Sequence, residues 1–290
     1  MKTPEVASMS ADDRALVVPC IQRLERAKPL LAALAGEVLE AYPRRGWDVL
    51  IGDDTSGRLV AHFIRRTLAA HGVALPARFI CASHTAQHMF SPAAYERYVD
   101  HLADGPLAAR RPLIVSENTL TGGTLHFLDE QFSRRFAEVD FALAAARYPA
   151  ALAGMSGEVY VGGEGCEASA AAYQAFETVG QCGVKDFIVG AIGKVAPLAV
   201  RRALSGRATS FNAPTYALTN VTQPDAALAQ QADQLPIASR TTDTRFRTAA
   251  AYCYRLMDTL ALDIVANGAH APYIPPQSDA APTFAAAAAD

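Results

Sequence analysis

The sequence predicts an α/β protein in which a parallel sheet is flanked by helices. Two observations carry this reading. Over the first 165 residues, short apolar runs bounded by polar turns alternate with stretches of helical periodicity. Parallel neighbours need crossover connections, so such alternation implies a parallel sheet rather than hairpins. The second observation is bulk: a chain of 290 residues that is 51% hydrophobic can bury one large core or two modest ones.

The elements follow in order. From Ile21 to Tyr42, Leu30, Leu31, Leu34, Val38 and Leu39 recur at helical spacing, and Pro29 is expected to split the helix into two pieces. "WDVLIG" (47–52) reads as the first buried strand. Leu59, Val60, Phe63, Ile64 and Leu68 restore a helix face after the turn "DDTSGR". "ARFICAS" (77–83) is the second strand, followed by the polar, irregular "HTAQHMF". Ser91 then stands where a helix N-cap belongs, with Pro92 at the first helical position and Tyr95, Tyr98, Val99 and Leu102 on one stripe. "PLIVSE" (112–117) is the third strand, and Leu125, Leu128 and Phe132 form the buried stripe of the next helix. "VDFALAAARY" and "GEVYVGG" read as two more strands.

Beyond Gly165 the alternation weakens. "DFIVGAIGKV" fits one further strand, and residues 205–240 read mostly as irregular structure. Phe246, Ala250, Cys253, Met257, Leu260 and Ile264 keep the spacing of a long helix with a narrow apolar seam, which suits packing on the core better than a dimer seam. The Pro-rich "HAPYIPPQSD" and "PTFAAAAAD" suggest a frayed or docked tail. The expected organisation is therefore a helical segment at 1–45, an α/β core at 46–195 and an extension at 196–290.

Composition narrows the partners. Lys and Arg number 26 against 29 Asp and Glu, a net charge of −3, which lacks the basic footprint of a dedicated nucleic-acid binder. No apolar run approaches a membrane span, and "MKTPEVASMSADDR" lacks the apolar core of a signal peptide. The cysteines at 20, 81, 166, 182 and 253 are scattered, with no zinc spacing. No membrane or nucleic-acid partner is expected, and the expected location is cytoplasmic.

Ligands of an open parallel sheet bind at the carboxyl ends of its strands, and two unusual turns sit at such ends. In "SENTLTGGT", Gly122 and Gly123 let the backbone curl so that N–H groups converge, and Thr119, Thr121 and Thr124 add hydroxyls at a helix start. That suits a phosphate, and this reading leads over the plainer one of an ordinary glycine turn because strand, acid and helix agree. A Walker loop is excluded by the missing Gly-Lys-Ser/Thr ending, and a dinucleotide fingerprint by the absent GxGxxG. Glu117, just before the curl, would repel a phosphate in direct contact, so a vicinal diol with two donors suits it better. Phosphate and diol together describe a ribose 5-phosphate. In "DDTSGR", Gly57 permits a tight strand-to-helix turn, Thr55 and Ser56 offer donors, and Arg58 offers a fork matched to phosphate oxygens. Asp53 or Asp54 is placed to meet a metal-bound water, because magnesium keeps several waters and touches few carboxylates. "GDDTSG" fails as a DxDxT aspartyl-phosphate motif, since its acids are adjacent.

These residues resemble a family. "PLIVSENTLTGGT" is similar to the PRPP-binding signature of the type I phosphoribosyltransferases, and "VLIGDDTSGR" is similar to that family's first strand and pyrophosphate loop. The likeness covers roughly residues 47–165. It implies a phosphoribosyltransferase-like core with a lid and hood, a homodimer, and displacement of pyrophosphate from PRPP with Mg2+ by an unidentified acceptor. It assigns Glu117 as the candidate catalytic residue and Ser116, Glu117, Thr119, Leu120, Thr121, Gly122, Gly123 and Thr124 to the ribose 5-phosphate. Asp54, Thr55, Ser56, Gly57 and Arg58 fall to the pyrophosphate, with Asp53 and Asp54 toward the metal through water.

Two departures stand out. Ser116 replaces one of the family's paired acids, and Ser83, His84 and His88 follow the second strand where many members carry a basic residue. His84 and His88 are expected in a lid spanning 84–105 or at the acceptor, since the stretch around them does not read as a helix that would pair them on a metal. The alternative function is a PRPP- or nucleotide-sensing protein without turnover. On either reading, Gly122→Val is expected to abolish ligand binding and spare the fold.

Overall fold

The computed structural model describes residues 11–53, 57–80, 82, 87, 92–177 and 244–267. Strands β1 (Val49–Asp53), β2 (Ala77–Ile80), β3 (Pro112–Thr119), β4 (Asp140–Ala146) and β5 (Val159–Val161) form one sheet in the order β2-β1-β3-β4-β5. Every neighbouring pair is parallel, with Gly52 opposite Phe79 on one side and Val115 on the other. All five strands coincide with apolar runs read from the sequence, although β1 extends one residue further, to Asp53, and β3 two residues further, to Thr119. The further strand expected at 186–195, the irregular stretch at 205–240 and the tail lie outside the described residues.

Helices cover both faces because strand side chains alternate. Leu50, Leu113, Val115, Ala142 and Ala144 meet α1 (Ala11–Arg45), α2 (Gly57–Ala70), α5 (Gly165–Ala172) and α6 (Thr244–Asn267). Val49, Ile51, Ile114, Phe141 and Leu143 meet α3 (Pro92–Asp104) and α4 (Gly123–Ser133) on the opposite face. The stripes predicted for α2, α3 and α4 are buried as expected. Met257, Leu260 and Ile264 of the α6 seam are buried in the same core as α1 and α2, so the seam packs within the chain.

Helix α1 corrects the expected break at Pro29: it runs without interruption from Ala11 to Arg45, through Pro19, Pro29 and Pro43. An interior proline costs a helix about 3 kcal/mol. Here Pro29 is exposed, while Leu24, Leu30, Leu31, Leu34 and Val38 are buried against the sheet. Each such side chain contributes about 1.5–3 kcal/mol, so the packing outweighs the lost hydrogen bond.

The amino-terminal rim of the sheet is tied by carboxylates. Asp140, 1% exposed, accepts hydrogen bonds from Trp47 Nε1 (2.7 Å), Arg45 Nε (2.6 Å), Arg45 Nη2 (2.7 Å) and the Glu158 N–H (2.9 Å). It thereby joins the end of α1, the approach to β1, the start of β4 and the approach to β5. Asp48 accepts the N–H groups of Arg110 (2.7 Å) and Arg111 (3.1 Å) ahead of β3. Glu158 pairs with both terminal nitrogens of Arg44 and accepts from the Tyr160 hydroxyl. The Arg44 and Tyr160 bonds, in that order, hold its carboxyl at about 2, against an ordinary 4.5.

Two outcomes are expected. Asp140→Ala strands the half-buried Arg45 guanidinium and the Trp47 N–H, and should lower unfolding free energy in urea by about 3–5 kcal/mol. Glu158 has a depressed folded-state value. Its stabilisation is therefore complete above the ordinary carboxylate range and is lost as pH falls from about 4.5 toward 2. Glu158→Gln should flatten that part of an acid titration of stability, most visibly at low salt, because the pair is largely exposed.

Candidate functional site

The chain leaves β1 and β3 in opposite directions. Helix α2 follows β1 on one face and leads to β2, whereas α4 follows β3 on the other face and leads to β4. The carboxyl ends of the two strands are thus the switch point, where the crevice of an open parallel sheet holds its ligands. Three polar side chains stand at it: Asp53, Ser116 and Glu117, only 6%, 2% and 9% exposed. The pairing of Gly52 with Val115 sets Asp53 beside Ser116. The Ser116 hydroxyl donates to Asp53 Oδ2 at 3.0 Å and lies 3.4 Å from Glu117 Oε2. A hydroxyl carries one proton, so it serves one carboxylate at a time.

Glycines set the approach of the backbones. A Cβ on Gly57 would stand 2.6 Å from the Val115 carbonyl oxygen, so its absence lets the first turn of α2 lie against β3. Gly52 leaves room for the Phe79 ring, whose Cδ1 would be 2.5 Å from an added Cβ. The Arg58 guanidinium lies over that ring, 4.6 Å from its centroid, a cation–π arrangement on the β2 side of β1. The structure thus brings Asp53, Ser116 and Glu117 together and places Arg58 over the neighbouring strand. Asp54, Thr55, Ser56, His84 and His88 lie outside the described residues. The lid expected over 84–105 is narrowed: Pro92–Asp104 is a core helix whose Tyr95, Tyr98, Val99 and Leu102 are buried.

The loop after β3 divides into scaffold and open parts. Thr119 Oγ1 accepts the Gly122 N–H at 3.0 Å, so this hydroxyl oxygen and this amide pin the turn. Gly122 has φ 76°, and a Cβ on it would collide with the Ala151 carbonyl oxygen. His126 Nε2 is 2.8 Å from the same carbonyl, and the Asp129 carboxylate accepts the Ser156 N–H at 2.8 Å, which holds the 149–156 turn against α4. The first helical bond of α4 runs from the His126 N–H to the Gly122 carbonyl. The amides of Gly123, Thr124 and Leu125 therefore precede the helical ladder, and among the described residues no side chain caps them. Thr121 and Gly123 are exposed, as is Leu120 at 45%. A Cβ on Gly123 would meet nothing nearer than Thr121 Oγ1 at 3.7 Å.

Two neighbours escaped the motif reading. Asn118 is on the same strand face as Ser116, and its Oδ1 is buried with no hydrogen-bond partner among the described residues. Arg147, at the end of β4, donates its backbone N–H to the Thr119 carbonyl at 2.9 Å. The Arg147 guanidinium sits over the Tyr148 ring at 5.2 Å, and hydrogen bonding to Cys166 is the first cause that raises its pKa above the ordinary arginine value. The "SENT" run carried the signal for Asn118; Arg147 depends on β3–β4 pairing, which no local pattern reveals.

No family model, no curated protein and no solved structure matches this chain. The motif resemblance therefore stands on the residues themselves. Among the described residues no helix is long and apolar enough to cross a membrane, and no group of three or more His, Cys, Asp or Glu could hold a metal ion.

The expectation that Gly122→Val spares the fold is corrected by the left-handed φ and the Ala151 carbonyl. That variant should lose at least about 2 kcal/mol of stability. Gly123→Ala, with open space around it, should unfold within about 0.5 kcal/mol of the parent in urea. It is the variant that probes the cradle alone.

Proposed function

We propose that the crevice binds the ribose 5-phosphate portion of PRPP and that the protein is a phosphoribosyltransferase-like enzyme. One observation carries the reading: buried carboxylates stand at the ends of adjacent strands, and the strand of Glu117 runs on through a short loop into a helix start that no described side chain caps. Carboxylates suit sugar hydroxyls, and converging amides suit phosphate. The amides of Gly123 and Thr124, with the hydroxyls of Thr121 and Thr124, would take the 5-phosphate. Arg58 and the turn that precedes it would take the pyrophosphate.

In the reaction, the bond between the anomeric carbon and the pyrophosphate oxygen lengthens and positive charge builds on the ribose ring. The electron pair leaves with pyrophosphate, and the acceptor's lone pair forms the new bond. Glu117 would hold the sugar and stabilise that charge, which a buried carboxylate does better than an exposed one. The carboxylates of Asp53 and Asp54 would hold a hard cation through its own waters, since magnesium keeps several of them. When bound, magnesium supplies charge neutralisation to the departing pyrophosphate. Ser116 in place of an acid favours a second reading, a sensor that holds PRPP without turnover.

Pyrophosphate release from PRPP and Mg2+ with candidate acceptors, beside a thermal-shift titration, tests both. The enzyme is expected to release pyrophosphate, with kcat lowered about 100-fold or more by Glu117→Ala and PRPP affinity lowered about tenfold by Arg58→Ala. Binding without release for every acceptor points to the sensor. No shift with PRPP, ribose 5-phosphate or nucleotides discards both.

A further inference from the structure

We infer that a pocket at the amino-terminal rim of the sheet, opposite the strand ends that carry Asp53 and Glu117, binds a small monocarboxylate with an apolar body, and that Arg110 grips its carboxylate. The inference goes beyond the proposed ribose 5-phosphate site and does not depend on it.

The pocket has a volume of about 470 Å3 and lies where α3 ends, where the chain enters β3, and where α4 gives way to β4. Ala103, Ala109 and Phe136 give it an apolar part, and three guanidinium groups and two carboxylates line the rest. Asp104 is hydrogen-bonded to Arg135, and Glu138 lies 3.8 Å from Arg111 Nε. Arg110 is the cation left over: among the described residues its guanidinium has no carboxylate partner. It is nevertheless held in place. Its backbone N–H donates to Asp48 at 2.7 Å, and its Nη1 donates to the carbonyls of Ala103 and Ala109, each at 3.1 Å. Those bonds engage one terminal nitrogen and leave the Nε–Nη2 edge, whose parallel N–H groups match the two oxygens of a carboxylate. The turn that carries Arg110 is fixed as well. The Ala109 N–H donates to the Leu102 carbonyl at 2.9 Å, and Ala108 is held at φ 45°, a left-handed value that no other non-glycine among the described residues adopts. A side chain ordered beforehand loses little freedom on binding. Capping the end of α3 accounts for the Nη1 bonds but not for the cavity beside them. One positive charge in excess suits a monoanion, while Asp104 and Glu138 disfavour the second charge of a phosphate. The volume exceeds what a bare carboxylate needs, and the apolar part receives the body attached to it.

Titration of the isotope-labelled full chain with benzoate, neutral benzamide and inorganic phosphate, followed by NMR of the arginine Nε–H groups, tests this. Benzoate is expected to bind with a Kd on the order of 1 mM and to shift the Arg110 Nε–H resonance, which is identified by its loss in Arg110→Lys. Benzamide and phosphate should each bind at least about tenfold more weakly. Arg110→Lys keeps a donor for the α3 carbonyls but loses the fork, and should weaken benzoate about tenfold. Ala137→Phe fills the pocket from an exposed position, leaves Arg110 in place and should abolish binding. Thermal melting checks that both variants are folded; if Arg110→Lys does not fold, Ala137→Phe carries the test.

A parent that does not bind benzoate at tens of millimolar overturns the inference. So does benzoate binding that is unchanged in folded Ala137→Phe, which places it elsewhere on the molecule. Benzamide binding as tightly as benzoate would make the pocket merely apolar, and phosphate binding more tightly at the Arg110 resonance would make it a general anion site; either result also overturns the carboxylate grip.

Discussion

The architecture depends on the parallel pairing of β1 and β3, two strands whose following helices lie on opposite faces. A parallel neighbour cannot be reached by a tight turn, so each strand end must release its chain into a crossover. Where one crossover goes left and the next goes right, neither of the two covers the gap between them. The crevice is thus a consequence of topology before it is a matter of residue choice. Gly57 adjusts its width by letting α2 settle against the Val115 carbonyl.

Much of this was legible in the sequence, and the reasons differ by element. The five strands were readable because strands buried on both faces must be apolar along their length, as Leu113–Val115 and Phe141–Ala146 are. The helices were readable from their 3.6-residue stripes. Pro29 misled because propensity is local, whereas the packing of Leu30, Leu31 and Leu34 that overrides it is tertiary. The site was legible only in pieces. The "DDTSGR" and "SENTLTGGT" runs marked the right strand ends, but the meeting of Asp53 with Ser116 is a fact of strand order, and order is not written in either run.

The loop after β3 shows how one short motif mixes two purposes. Thr119 and Gly122 look like ligand residues in sequence, yet one braces the turn and the other lets it pass beneath the Ala151 carbonyl. Gly123 and Thr121, which face outward, have no comparable structural task. Adjacent glycines in a curl are therefore not equivalent: a positive φ with a near backbone neighbour marks the architectural one, and open space marks the one whose smallness serves a visitor.

The four hydrogen bonds that converge on Asp140 have a wider consequence. They lash helix end, strand starts and loop together at the rim farthest from the crevice, and Asp48 and Glu158 reinforce the same edge. A sheet so fastened at its foot does not rely on its upper loops for cohesion. Those loops are free to be lengthened, exchanged or recomposed, which is how a scaffold of this kind can acquire a new chemical preference without surrendering its shape.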